Sequence, residues 1–207
     1  MEFNQVVNER RSAVKFIPDT IIPRDELEEM FKSVKLAPSA FNLQHAAYVV
    51  VDDPHMKEQL YEAANKQYKI KTASAVIVVL GDMDAYKNVA QINEGFLNLG
   101  FMNKQEYDMT VESVTQFYIE RGETFMREEA IRNASLSAML FMLIAKDRGW
   151  DTCPMIGYDP AKIGEIINLP DRMVPAMLIA IGKEDTSKIR PRGYRKPTGE
   201  FVVYNSF

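Results

Sequence analysis

Apolar residues recur at helical spacing early in the chain. Leu27, Met30, Phe31 and Val34 stand at i, i+3, i+4 and i+7, which predicts a helix opened by Pro23, carrying acids in its first turn and running to about Leu36. Before it, Phe3, Val6, Val7 and Arg10 predict a short first helix that leads into "RRSAVKF". The pattern then shifts. "YVVV" (Tyr48 to Val51) reads as a strand, and Met56, Leu60, Ala63 and Ala64 mark another helix. "AVIVVLG" (Ala75 to Gly81) is apolar without a break, as expected of a strand covered on both faces.

Residues 84–127 are less orderly: polar, rich in Met and aromatics, and weakly helical. They predict an excursion that packs on the domain or on a second subunit. From about Glu128 to Arg148 a helix follows that is apolar nearly all round between Ala134 and Ala145, which calls for burial on every side. One chain of this length does not easily surround it; a homodimer would. Asp159 and Pro160 read as an N-cap and first-turn proline, with Ile163, Ile166 and Ile167 facing the core. "AMLIAIG" (Ala176 to Gly182) is a third internal strand, and after the basic loop "KIRPRGYRKPTGE" a terminal "FVVY" predicts a strand that completes a sheet elsewhere. Helices and strands alternate, so the class is mixed α and β, with no repeat and no clean boundary within residues 1–207.

Composition narrows the function. With 207 residues, 46% of them apolar, the chain can bury a full core. The formal charge of −4 and the absence of any Lys/Arg run beyond two residues offer nucleic acid little. The longest apolar run, Ala138 to Ala145, is too short for the roughly 20 residues that span a bilayer. The N-terminus lacks the apolar stretch of a secretory signal. One cysteine, Cys153, excludes an internal disulfide, and two scattered histidines give no metal-ligand spacing. The expectation is a cytoplasmic, metal-free protein.

Phosphate cradles and nucleophile signatures of the familiar kinds are absent: no Walker loop, GxGxxG, GxSxG or HExxH. This points to a cofactor that carries the chemistry while the protein binds and orients it. Two basic clusters stand at opposite ends of the chain, Arg10 and Arg11 beside Ser12, and Arg192 with Arg195. Guanidinium forks and a hydroxyl suit a phosphate monoester. Spacing alone favours solvated surface charge instead.

"RRSAVKF", "APSAFNLQ", "PMIG" and "RPRGYRKP" occur in an order and spacing that resemble the nitroreductase family of FMN-dependent oxidoreductases, from Arg10 to Pro197. The resemblance implies an α+β fold, a mixed central sheet flanked by helices, in subunits intertwined as a homodimer, with FMN as cofactor. It implies that Arg10, Arg11 and Ser12, with Lys15 as a further basic residue, hold the phosphate and ribityl chain, joined by Arg192 and Arg195. Pro38, Ser39, Ala40 and Asn42 would cross the dimer interface and cover the flavin bound mainly by the other subunit. Without the resemblance, that stretch reads as a helix end stopped by Pro38 with an Asx-type turn at Asn42.

In the segment "NKQYK", Gln67 and Lys69 match the family's contacts to the pyrimidine end of the ring, while Lys66 stands where an amide is usual and Asn65 is displaced by one. A solvated helix end is the equal alternative. In "CPMIG", Met155, Ile156 and Gly157 match the stretch against the flavin face opposite the substrate, with the Ile156 N–H aimed at N5. The family often continues Asn-x-Gln-Pro-Trp, whereas this chain reads Asn42, Leu43, Gln44, His45, Ala46. His45 is expected to be an exposed residue leading the strand, neither acid nor base.

The implied activity is a two-step cycle. NAD(P)H reduces the flavin by hydride transfer to N5 and leaves, and an electron-poor acceptor such as a nitroaromatic or quinone takes its place. No catalytic side chain is required. Phe117, Tyr118 and Phe125 are candidates for a lid on flat acceptors, with interface core as the equal alternative. Dehalogenation or enoate reduction on the same scaffold, a flavin-binding redox sensor without turnover, and a flavin-free helical interaction module are the rivals.

Overall fold

The computed structural model describes residues 1–188 and 191–206, with the side chain of residue 188 outside the description. Strands β1 (Ala46–Val51), β2 (Ala75–Asp82), β3 (Asp151–Met155) and β4 (Met173–Gly182) form one sheet in the order β1-β2-β4-β3. All three ladders are antiparallel. The expected mixed sheet is therefore corrected: among the described residues, parallel pairing is confined to an isolated bridge between Ser12 and Thr152. An unbroken apolar strand signals cover on both faces, and helices supply that cover over antiparallel strands just as well as over parallel ones.

Strand β2 shows how the cover is divided. Val76, Val78 and Leu80 pack into a core with Leu60 and Ala63 of helix α3 (Pro54–Ala63), Ile70 of α4 (Tyr68–Thr72) and Ile163 of α7 (Pro160–Ile167). Ala75, Ile77 and Val79 face the other way, onto Leu27, Met30 and Val34 of α2 (Arg24–Val34) and Ala134, Ala138 and Phe141 of α6 (Lys104–Asp147). The strand period of two thus feeds two cores from one run of sequence. Asp53 caps α3 and Asp159 caps α7 with side-chain oxygens, each followed by proline in the first turn.

The predicted helix over Glu128–Arg148 is the second part of something longer. Helix α6 spans 44 residues from the capping box at Asn103 and Glu106, interrupted at Gly122, whose φ of 74° and ψ of −178° belong to a region open essentially to glycine. The expected excursion therefore falls on α5 (Val89–Asn98) and the first half of α6. Its small core joins Tyr86, Val89, Val114 and Tyr118 to Leu43. Of the helix read as apolar all round, Ala134, Ala138, Phe141 and Ala145 are buried, whereas Leu136 and Met139 stay 48% and 42% exposed. The terminal "FVVY" is not a strand here: Phe201 to Tyr204 are exposed, outside any ladder, and the outer edge of β1 is unpaired among the described residues.

Candidate functional site

Strand β3 organises most of the predicted residues. It is an edge strand, and the N-terminal segment after helix α1 (Phe3–Glu9) lies along it. Ser12 bridges to Thr152, the Ala13 N–H donates to the Thr152 carbonyl at 2.9 Å, and Phe16 bridges to Glu184. This places Arg10 and the exposed Ser12 at the β3 margin. The C-terminal segment returns to the same place, where the Arg192 guanidinium donates to the carbonyls of Asn8 and, at 3.0 Å, of Arg10. Partial burial and then the charges of Arg192 and Arg195 hold the Arg10 guanidinium below its ordinary pKa. Three like charges that work against one another mark a place that gains from an anion.

The two arginines of the N-terminal pair part company. Arg11 Nε lies 3.5 Å from the buried Glu184 carboxylate, which also accepts from the Val14 N–H. Lys15, the further basic candidate, pairs with Asp185 at 3.1 Å. Arg10 is the member of the pair that feels the charges of both Arg192 and Arg195, while Arg11 lines a cavity with Arg192 and Glu184.

Farther along β3, a second set converges. Lys69 Nζ lies 3.1 Å from Cys153 Sγ. Asn65 and Gln67 both donate to the Gly157 carbonyl, at 3.1 and 2.9 Å. Asn65 and Lys66 have φ of 51° and 56°, so two left-handed residues turn the chain between α3 and α4 and bring Gln67 round. A Cβ added to Gly157 would stand 3.4 Å from Gln67 Nε2, so glycine leaves this surface open. Met155 is buried while Ile156 is 82% exposed beside it. Strand β3 ends at Met155, and just beyond it the chain turns at Ile156 to Tyr158, which sets the amides of Asn65 and Gln67 on Gly157 past the end of the strand.

Pro38, Ser39, Ala40 and Asn42 do not join this group. They precede β1, at the opposite edge of the sheet, three strand spacings or about 14 Å away. The Ala40 N–H donates to Asn133 Oδ1 at 2.8 Å, and the Gln44 N–H to Ser39 Oγ at 2.9 Å. Phe41, Asn42 and Gln44 have φ of 50°, 56° and 54°, a strained arrangement for side-chain-bearing residues that persists only where the surroundings hold it. This loop borders a cavity of about 520 Å³ that also meets Tyr48 of β1 and Asn133 of α6. The Asx-turn alternative finds no support, since the Asn42 side chain makes no hydrogen bond among the described residues.

One expectation is corrected at this loop. His45 is 1% exposed, not an exposed leader of the strand. Its Nε2 makes a long 3.4 Å contact with the Tyr118 hydroxyl and its Nδ1 has no partner. Tyr118 is also 1% exposed, stacked on Tyr86 with centroids 5.3 Å apart and flanked by Phe41, Phe117 and Phe125, packing that matches the core alternative rather than a lid. Phe117 and Phe125 are half-buried, with Arg121 3.6 Å over the Phe117 ring. The burial of Leu43 and His45 around an exposed Gln44 is a period-two signal that the sequence carried.

Burial pushes the His45 imidazole down to about 4. The unfolded chain protonates this group near pH 6.5 and the folded chain only near 4, so between those values the unfolded state binds more protons and stability is lost as the pH is lowered. The loss reaches on the order of 3 kcal/mol by pH 4. Denaturant melts of the parent and of His45→Phe between pH 7 and 4 should diverge, with the variant losing less; parallel curves would show that His45 is not the group responsible.

Comparison with known proteins gives the family of the chain. The model of the nitroreductase family matches residues 7–183. The chain is 57% identical over 203 residues, 98% of each sequence, to "Putative NAD(P)H nitroreductase MhqN" of Bacillus subtilis. It is 31% identical to the CLA biosynthesis enone reductase of Lactiplantibacillus plantarum, over 93% of this chain and 90% of that one. A nitroreductase structure in complex with FMN, from Exiguobacterium sibiricum, superposes with a TM-score of 0.89 at 29% identity, covering 99% of this chain and 97% of the other. The chain belongs to the nitroreductase family.

Proposed function

We propose that the protein is an FMN-dependent NAD(P)H oxidoreductase that reduces electron-poor acceptors such as nitroaromatics or quinones, working as a homodimer. The observation that carries this reading is the run along β3 and just past it, with Arg10, Arg192 and Arg195 beside the segment that bridges to Thr152, Lys69 on Cys153, and Gln67 on Gly157. Its cationic end suits a phosphate monoester, and its open, glycine-bearing end suits a flat ring. Bound FMN would supply the two-electron chemistry, taking a hydride equivalent from NAD(P)H and passing it to the acceptor.

The residues of this chain bind and orient. Arg10, Arg192 and Arg195 hold the phosphate with Ser12, while Arg11 braces the segment through Glu184. Gln67 and Lys69 address the polar edge of the ring, and the Ile156 to Gly157 backbone lies against its face. The loop Pro38 to Asn42 completes the site from a second copy, because within one chain it lies at the far edge of the sheet. That second copy would also cover Leu136 and Met139, and its "FVVY" segment would meet the open edge of β1. Among the described residues no helix is long and apolar enough to cross a membrane and no group of side chains could hold a metal ion. A cytoplasmic location fits the free, buried Cys153.

Anaerobic addition of NADPH or NADH to the FMN-loaded protein should bleach the flavin absorption, and a quinone should restore it repeatedly. Bleaching that cannot be cycled would leave a flavin-binding protein without turnover. The likeness to an enone reductase favours conjugated enones as a second acceptor class, and a panel of quinones, nitroaromatics and enones ranks them by kcat/KM.

A further inference from the structure

We propose that Cys153 positions the Lys69 ammonium, and that this buried thiol thereby sets how readily the bound flavin is reduced. The proposal rests on the FMN reading above. Three lysines occupy the stretch around α4, and two of them turn outward to carboxylates: Lys66 to Glu62 at 3.5 Å, and Lys71 to Glu58 at 3.0 Å with its ammonium 4.1 Å over the Tyr61 ring. Lys69 instead reaches inward to Cys153 Sγ at 3.1 Å. Among the described residues it has no carboxylate partner.

The thiol is built into the core. Cys153 is 2% exposed and packs with Ala13, Phe16, Ile70 and Ala73, and its sulfur lies 3.8 Å from the Pro154 carbonyl, the acceptor for its own S–H. A short relay results, from ammonium to thiol to carbonyl. Cys153 has one side-chain torsion and sits on a strand, so it offers Lys69 a fixed point. Lysine has a flexible four-carbon stem, and a contact at its tip selects one arrangement of that stem.

The kind of partner matters as much as its place. A carboxylate would hold the ammonium too, but would also cancel its charge. A thiol is a weak acceptor that directs the ammonium and leaves its charge, and its remaining N–H groups, available to a ligand. Reduction adds negative charge at the pyrimidine edge of the flavin, so a cation held there favours the reduced form. Cys153 is thus a positioning residue that acts through Lys69.

The test compares FMN-loaded parent, Cys153→Val, Cys153→Ser and Lys69→Met proteins, each equilibrated anaerobically with a reference dye to read the flavin midpoint potential. Valine keeps the bulk and removes the polar contact; serine keeps a contact. Cys153→Val is expected to lower the ratio of reduced to oxidised flavin about tenfold at fixed potential, a shift of about 30 mV for a two-electron couple. Serine should stay within threefold of the parent, and Cys153→Val should add nothing in the Lys69→Met background. Should the valine protein fail to fold, Cys153→Ala takes its place with the same expectation. A Lys69→Met shift with none in Cys153→Val overturns the proposal and leaves the FMN reading standing, as does an equal shift in the serine and valine proteins. A parent that takes up no FMN overturns both.

Discussion

Replacing Arg10 by alanine should cost the protein its flavin. The side chain stands with Arg192 and Arg195 where the segment after α1 meets the C-terminal basic segment, held below its ordinary pKa by burial and by those two charges. A phosphate placed there would relieve the repulsion and accept charge-assisted hydrogen bonds worth roughly 1.5 to 3 kcal/mol. The dissociation constant for FMN should therefore rise about 10- to 150-fold in Arg10→Ala. Fluorescence titration measures it. The melting temperature without flavin should hold or rise, since the substitution removes one of three crowded cations. Arg11→Ala should do the reverse, loosening the segment by leaving the buried Glu184 without its guanidinium. An Arg10→Ala protein with parental FMN affinity would place the phosphate elsewhere.

The second large effect concerns the fold. Gly81 lies at the end of β2 where α6 crosses the sheet, and a Cβ there would stand 2.6 Å from the carbonyl carbon and oxygen of Ala130. Both are backbone atoms of a long helix, so no side-chain rotation relieves the overlap. Overpacking that forces side chains and backbone to shift costs typically about 1 to 3 kcal/mol and occasionally more, and here only backbone can give way. Gly81→Ala should lose at least about 3 kcal/mol, or about 6 to 12 °C in melting temperature for a chain of this size. Gly95, on α5 with nothing within 4 Å of an added Cβ, is the control: Gly95→Ala should leave stability unchanged or raise it. If the two alanine variants melt together, α6 does not press on β2 as described.

The strands and the amphipathic helices were legible because their periods are local. Leu27, Met30 and Val34 fall on one face of α2 as their spacing required, and the unbroken run of β2 is buried throughout. Strand β3 was missed as a strand, since "DTCPM" is short, polar at its start and carries a proline that only an edge or a bulge tolerates. The antiparallel pairing was not legible either, because strand direction follows from connections through space. Within the candidate site, the family resemblance supplied the residues and the fold supplied their grouping. Arg10 and Arg192 are 182 residues apart, and the sequence could not say that one donates to the other's carbonyl. His45 was misplaced because its burial depends on the excursion folding back on the loop, through Tyr118, 73 residues distant in sequence.

The central claim is that the flavin lies along β3 of one chain and under the Pro38 to Asn42 loop of another. A crystal structure of the FMN complex tests it most directly. It should show the phosphate among Arg10, Arg192 and Arg195, the ring between Gln67 and Gly157 of the same chain, and Pro38 to Asn42 contributed by a second copy. FMN bound wholly within one chain, or away from the β3 edge, would contradict it.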